Sequence, residues 1–375
     1  MGQLPSSTVP ASVSNIYFEL FGLQTLQFIK YIHEGDVEQL RVLLTALNAD
    51  EMWSLLHMQF PPFAEVRDRR TGLVIAIIKG HAELVALLLE KGADPQETYL
   101  FTASLDFPEI YVLPLWLAVT KRQVEVCRQL LAFGAYVDGG TDSGETPLHI
   151  ASYMDCLDIV TLLVENGANV GLQNSEGYAA MMLAAAARRV DVVRYLLSNG
   201  ASVDQTNFAG DDFSLLMAVK AGSLELCQLL LESDADVNQA ASNGFTSLMC
   251  ACYLGHTSIV TFLVENGANI EHATVRGNIN AVNIGRHYAL ERRNLAVFVV
   301  DGTRIGDEVT YGNTALMYAA KKGRVDTVRF LLSKGARTDR TNSAGKTAMS
   351  WAIDHRKTEI VEILHAAAEQ RGPNE

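Results

Sequence analysis

The feature that most constrains this sequence is a repeat of about 33 residues. An alanine that closes each copy recurs at steps of 33, 33, 34 and 33 residues, at Ala135, Ala168, Ala201, Ala235 and Ala268. A glycine near the start of each copy keeps nearly the same step, at Gly144, Gly177, Gly210, Gly244, Gly277, Gly312 and Gly345. Units in such a chain contact only their neighbours, so a length of 375 residues does not require one large core.

The copy over residues 144–169 indicates what each unit folds into. Thr146 is a favourable helix N-cap, and Pro147 follows at the first helical position, where a missing N–H costs no hydrogen bond. Apolar residues over 159–164 predict a second helix with one buried side, and Gly167 is a natural end for it. The unit is therefore predicted to be two helices joined by a turn.

The segment Thr146-Pro-Leu-His149, with Ala151 after it and a period near 33, resembles the ankyrin repeat. The resemblance covers roughly residues 28–370. It implies an all-α solenoid of about ten stacked helix-turn-helix units, counting caps, with β-hairpin fingers between them. His149 belongs to the signature, and we expect its imidazole to tie the turn to the backbone.

Departures from the period predict the domain organisation. We expect a flexible N-terminal tail (1–14), an N-terminal capping repeat with an extra helix (15–70), ankyrin repeats (71–344), a C-terminal capping repeat (345–370) and a tail (371–375). Residues 277–311 fit the template with two residues inserted between helices, which predicts a degenerate repeat; a long loop is the alternative. The interval from Ala93 to Ala135 is 42 residues, which predicts an extended β-hairpin finger within 95–112.

Composition excludes several classes of function. A net charge of −13 argues against binding to a phosphate backbone, and so against nucleic acid, and it favours basic peptides or proteins as partners. Five cysteines at helix positions, without disulfide spacing, predict a reducing compartment, the cytoplasm or alternatively the nucleus.

Membrane attachment is expected to be weak at most. No apolar run reaches 18 residues. The start Met1-Gly2-Gln-Leu-Pro-Ser6 fits the acceptor pattern for N-myristoylation at Gly2, and a meaningless start sequence is the alternative. A single acyl chain gives only marginal, reversible binding, so we predict no stable anchoring.

No motif for catalysis, a cofactor or a metal is present. Cys250 and Cys252 lie two residues apart on one helix and so point in different directions, which prevents them from joining His256 around one ion. Asp211 and Asp212 are adjacent in a finger and are expected to be solvated, which leaves no apolar pocket to raise a pKa for acid–base work. We predict that the chain is not an enzyme.

The remaining prediction is a monomeric scaffold that binds a partner protein or peptide in the concave groove formed by fingers and first helices. The expected binding residues are Trp116, Tyr153, Asp155, Asp138, Asp142, Asp211 and Asp212. Acidic fingers beside aromatic anchors suit a basic, extended segment. The alternative is a solvated acidic rim beside aromatic residues that serve only packing.

A narrower resemblance concerns the segment Leu113-Pro-Leu-Trp116, which follows the extended finger. It is similar to the opening of Fem-family ankyrin proteins, with Tyr153 and Asp155 near that family's aromatic-Asp turn. The resemblance implies a substrate-recognition adaptor of a cullin ubiquitin ligase that reads basic degrons in an acidic groove. Ser152-Tyr-Met-Asp155 stands where the family has Cys-Phe-Asp-Gly, so the general scaffold and the adaptor both stay open.

Overall fold

The computed structural model describes residues 11–58, 71–101, 110–276, 283–284, 303–304 and 310–371. Its helices are α1 (Ala11–Glu34), α2 (Val37–Ala46), α3 (Ala49–His57), α4 (Gly72–Lys79), α5 (Ala82–Glu90), α6 (Pro114–Thr120), α7 (Val124–Ala132), α8 (Pro147–Tyr153), α9 (Leu157–Glu165), α10 (Ala180–Ala186), α11 (Val190–Ser198), α12 (Ser214–Lys220), α13 (Leu224–Glu232), α14 (Ser247–Leu254), α15 (Thr257–Glu265), α16 (Ala315–Lys322), α17 (Val325–Ser333), α18 (Ala348–Asp354) and α19 (Thr358–Arg371). Its strands are β1 (Tyr99–Phe101), β2 (Ile110–Val112), β3 (Asn283–Ile284) and β4 (Thr303–Arg304).

Contacts divide the described residues into two compact units, the first within 11–151 and 156–169 and the second within 152–155, 170–284 and 303–371. In the first unit, α4 packs between α1 and α6, while α5 packs between α2 and α7, which also contacts α9. In the second unit, the even-numbered helices α10 to α18 form a row of first helices, and the odd-numbered helices α11 to α19 form a row of second helices. Each unit is a stack of helix pairs, so the predicted helix-turn-helix solenoid is confirmed.

The first helices depend on capping and packing because they are only 7 or 8 residues long in the repeats, too short for stability in isolation. Threonine hydroxyls cap several of them: Thr246 accepts from the N–H of Met249 at 3.3 Å, and Thr347 accepts from Ser350 at 3.2 Å. In α12 the side chains from Ser214 to Val219 are all buried. Their stability therefore comes from contact with neighbouring repeats.

The turn after each first helix contains one residue in the left-handed conformation. Glycine fills this position after α4, α12, α14 and α16. Four other copies place a residue with a side chain there, namely Arg122, Asp155, Arg188 and Arg356, with φ between 55° and 63°. This conformation costs such residues roughly 1–2 kcal/mol, so the fold tolerates local strain at these turns.

The fingers that join successive pairs are narrow β-hairpins. In the first unit β1 and β2 pair antiparallel, with Tyr99 opposite Val112, which confirms the extended hairpin predicted within 95–112. In the second unit single bridges close the fingers, for example between Thr206 and Phe213 and between Ala273 and Thr314.

The degenerate repeat predicted over 277–311 falls mostly outside the described residues and stays a prediction. α14 packs directly against α16, and α15 packs against α17, with the hydroxyls of Thr257 and Thr327 3.4 Å apart. Ala273 and Thr314 pair antiparallel through a single bridge. Within 277–309 the structure describes only β3 and β4, which pair antiparallel.

The described residues contain nine helix pairs: α1 with α2, and eight pairs from α4/α5 to α18/α19. α1 begins at Ala11, inside the predicted tail, and Gly22 interrupts it with φ of 83°. α3 lies in the stretch where an extra helix was predicted. Gly2 and residues 372–375 lie outside the described part. No described helix combines the length and apolar character needed to span a membrane.

Candidate partner-binding surface

Trp116 lies in the core of the first unit and not on a surface. α6 begins at Pro114, and two residues later the indole is only 1% exposed. Its Nε1–H has no hydrogen-bond acceptor among the described residues. The side chain that carries the Fem resemblance is therefore a packing residue, and it is not accessible to a partner in the folded chain.

Asp138 and Asp142 belong to a finger of the first unit and differ in their surroundings. Both carboxylate oxygens of Asp138 accept the backbone N–H of Asn169, at 3.1 and 3.2 Å. In the second unit Asn238 does the same for Asn269 at 2.7 Å, so this position ties one repeat to the next. Asp142 is exposed and remains a candidate for contact with a partner.

Tyr153 and Asp155 lie together at the start of the second unit. Asp155 is exposed and pairs loosely with Arg189, at 3.8 Å, while Arg189 Nε donates to the carbonyl of Tyr153 at 3.0 Å. The Tyr153 ring is half-buried, and this burial raises the pKa of its hydroxyl, although Arg189 partly opposes the shift. The geometry is compatible with a contact at the edge of a binding surface.

The prediction that Asp211 and Asp212 are solvated is wrong. Asp212 is only 5% exposed and accepts hydrogen bonds from the hydroxyl of Tyr178, at 2.6 Å, and from the ammonium of Lys220. The amide of Asn207 accepts the backbone N–H of Asp212 at 3.1 Å. A buried charge needs such partners. By binding them, the carboxylate connects its own finger to the neighbouring finger and to the helix that carries Lys220.

Asp211 is also inside the finger, at 6% exposed. Its carboxylate accepts the hydroxyl of Ser242, in the next finger, at 2.5 Å. Burial raises the pKa of Asp211, and the Asp212 charge adds to this, while the Ser242 hydrogen bond and Lys220 oppose it. Both carboxylates thus hold fingers together, and neither is presented to a partner.

A row of linked finger tips in the second unit was not anticipated from the sequence. A backbone N–H in one tip donates to a carbonyl in the preceding tip, at 2.8–3.2 Å, in the pairs Phe208→Glu176, Ser242→Gly210, Val275→Asn243 and Ser343→Tyr311. Three large apolar side chains project from this row: Phe208 is 68% exposed, Val275 53% and Tyr311 43%. The available signal was Phe208 and Val275 at a tip position that is serine in other copies.

Lysines lie over two first-helix aromatics of the second unit, Tyr253 and Trp351. Lys322 Nζ lies 4.1 Å from the ring centroid of Tyr253. Lys321 and Lys346 lie 4.2 and 4.6 Å from the centroid of Trp351. Cations at these distances are attracted to the ring faces. The contacts of Lys322 with Tyr253 and of Lys321 with Trp351 join different repeats, so the sequence of a single repeat could not predict them.

His149 has the structural role that the sequence predicted. Its Nδ1 receives the backbone N–H of Thr146 at 3.2 Å and lies 2.7 Å from the Thr146 hydroxyl.

The cysteines are buried, and desolvation raises the pKa of Cys127, Cys227 and Cys250 to about 12. They are therefore neutral at pH 7, and no group of three or more potential metal ligands is found in the described part of the chain.

Comparisons with known proteins agree with this geometry. A family model described as "Ankyrin repeats (3 copies)" matches residues 115–207, 209–274 and 287–371, and "Ankyrin repeat" matches 68–98. The chain is 29% identical over 305 residues to ankyrin repeat and KH domain-containing protein mask-1 of Caenorhabditis elegans, covering 79% of this chain and 10% of that protein. It is 33% identical over 99 residues to mouse ankyrin repeat and SOCS box protein 11, covering 26% and 28% respectively. The crystal structure of the human ASB11 ankyrin repeat domain matches with a TM-score of 0.54 at 23% identity, covering 68% of this chain and 98% of that one.

Proposed function

Because the chain belongs to the ankyrin repeat family, whose repeats are protein–protein interaction modules, we propose that it is a non-enzymatic scaffold. It binds a partner protein across the finger tips of its second unit. The observation that carries this proposal is the row of exposed apolar side chains, Phe208, Val275 and Tyr311. Scattered single apolar residues are ordinary on protein surfaces, but three on linked fingers mark an interaction site.

The backbone hydrogen bonds between tips support this choice of surface. Because each tip donates to the one before it, the three side chains are held in place before a partner arrives. Binding then costs less conformational entropy than it would at independent loops. Large apolar and aromatic side chains are the residues that contribute most to interface affinity. The burial and internal hydrogen bonds of Asp211 and Asp212 favour a structural role over a catalytic one.

The test replaces the three apolar side chains together, as Phe208→Ser, Val275→Ser and Tyr311→Ser, and captures partners from native lysate with wild-type and variant protein. We expect roughly hundredfold weaker binding of the true partner, since each anchor contributes about 1 kcal/mol. A matched control replaces three apolar residues of the first unit, Val42, Trp53 and Phe133, which are 62%, 65% and 44% exposed. Identical sets of captured proteins from both variants would refute the proposal.

The ubiquitin-ligase adaptor is a narrower form of the same function. Tyr153 and Asp155 are the residues of that resemblance that reach the surface of the second unit. Cullin subunits captured with the wild-type chain, and lost with Tyr153→Ala and Asp155→Ala, would favour the adaptor. Partners captured without cullin subunits would favour the general scaffold.

We place the scaffold, as a monomer, in a reducing compartment, because all five cysteines are buried as thiols. The cytoplasm is the first choice and the nucleus the second. Acylation of Gly2 stays a prediction, which the mass of the intact protein from its own cells would decide.

A further inference from the structure

Basic residues collect where the first helices of the second unit end and turn into the second helices. We call this set the basic seam; it consists of Arg188, Arg189, Lys220, His256, Lys321, Lys322, Arg324, His355, Arg356 and Lys357. The chain as a whole carries a net charge of −13, so the charge of the seam is opposite in sign to that of the whole chain. Cations at helix C-termini are favourable, and this explains one such residue per turn but not their accumulation.

The seam is continuous from turn to turn. A Cβ added at Gly222 would lie 3.1 Å from His256, one at Gly255 would lie 2.7 Å from Arg324, and one at Gly323 would lie 3.0 Å from Lys357. Each of these side chains therefore lies over the glycine of the preceding turn. Arg324 also donates to the carbonyl of Tyr253 at 3.4 Å, which holds its guanidinium in the seam.

Much of this charge is not neutralised within the described chain. Arg189 pairs with Asp155, and Lys220 pairs with Asp212. In the described residues, by contrast, no carboxylate lies within 4.0 Å of Arg188, Lys322, Arg324, Arg356 or Lys357.

The surroundings of His256 lower the pKa of its imidazole. It is lowered first by burial and then by the charges of Arg324 and Arg188. Arg324 is in the following turn and Arg188 is two turns earlier, so positive charge lies on both sides of His256.

Aromatic rings lie directly beside these charges. Lys322 is seated over Tyr253, and Lys321 over Trp351, at 4.1 and 4.2 Å from the ring centroids. The rings limit where the ammonium groups can go, so donors for a carboxylate are partly ordered in advance. A partner segment that carries carboxylates beside apolar or aromatic side chains can use both features.

We propose that the basic seam binds an acidic, extended segment of the partner protein. This inference rests on the proposed function, because it specifies which kind of partner the second unit binds. The sequence predicted a basic partner, and the seam indicates an acidic one instead. Unpaired cations stand on the last two turns, Lys322 and Arg324 on one and Arg356 and Lys357 on the next, where they reinforce one another and attract acidic chains. Nucleic acid is the less favoured anion, because the remaining surface is acidic and would repel a long phosphate backbone.

The experiment measures fluorescence anisotropy of a labelled polyglutamate peptide with the full chain. The seam variant carries Lys322→Glu, Arg356→Glu and Lys357→Glu, three changes that leave Arg324 and its hydrogen bonds in place. The matched control carries Arg194→Glu, Arg329→Glu and Lys334→Glu on or directly after the second helices, with the same change in net charge. Melting temperatures of both variants verify that they are folded.

We expect polyglutamate to bind the wild-type chain, more weakly as salt rises, and about tenfold more weakly to the seam variant than to the control. Equal losses in the two variants would overturn the inference, because net charge alone would then account for binding. Tighter binding of a labelled polylysine peptide, or of single-stranded DNA, would overturn it as well.

The outcome is separable from that of the proposed function. Suppose that the finger-tip variant loses its partners while the seam variant binds polyglutamate as the control does. The scaffold proposal is then supported, and only the proposal of an acidic partner is refuted. If the finger-tip variant keeps every captured protein, the scaffold proposal falls whatever the seam binds.

Discussion

The burial of Asp212 leads to a direct test of the finger architecture, because the sequence alone suggested a solvated carboxylate. The perturbation is Asp212→Asn, which keeps the shape and removes the charge. In the folded chain this charge faces Lys220, whose side chain is 11% exposed, and accepts the Tyr178 hydroxyl at 2.6 Å. A surface carboxylate would change stability by less than about 0.5 kcal/mol.

The magnitude follows from those two contacts. Hydrogen bonds to charged groups contribute roughly 1.5–3 kcal/mol each, and removing one partner of a buried ion pair costs about 3–5 kcal/mol. The asparagine oxygen can still accept one bond, so we expect a loss of about 3 kcal/mol. Tyr178→Phe should cost about 1.5 kcal/mol. The double variant should cost less than the sum of the two, because both changes remove the same contact.

The assay is urea unfolding followed by circular dichroism, together with hydrogen exchange of the amides in α10 and α12. Exchange is needed because stacked repeats can open locally without global unfolding. The control is Asp142→Asn, an exposed carboxylate in another finger. If Asp212→Asn is as stable as Asp142→Asn and instead loses partner binding, the carboxylate acts at the surface and our reasoning is wrong.

Three further predictions follow from burial and backbone conformation. Trp116→Ala should lower the free energy of unfolding by about 3–5 kcal/mol, measured by urea titration, since the indole is 1% exposed; a folded variant with only a binding defect would contradict this. Burial raises the pKa of Asp211 above 3.8, so its favourable contribution is complete below pH 3.8 and is lost as pH rises through the folded-state pKa. Asp211→Asn should therefore raise the melting temperature at pH 7 relative to wild type and lose that advantage at pH 3.5, whereas a pH-independent difference would exclude titration of Asp211. Arg188→Gly should stabilise the chain by up to about 1 kcal/mol, because φ is 62° there, and a lower melting temperature would show that the arginine side chain offsets the strain.

Several parts of the fold could be predicted because they depend on residues close in sequence. Thr146 and His149 are three positions apart, and their hydrogen bonds are set by the helix start itself. The period likewise predicted the positions of the helix pairs, because an apolar face and a turn recur at the same offsets from copy to copy. The pairing of β1 with β2 followed from nine surplus residues in one finger.

The partner surface could not be predicted in the same way, because it depends on contacts between copies. A finger residue is solvated or buried according to what the next repeat places against it, and Ser242 and Tyr178, roughly 30 residues away, decide this for Asp211 and Asp212. The same holds for the lysines over Tyr253 and Trp351. Local periodicity by itself determined the repeating unit, whereas only the packing of each unit on its neighbours decided which charges and apolar groups remain at the surface.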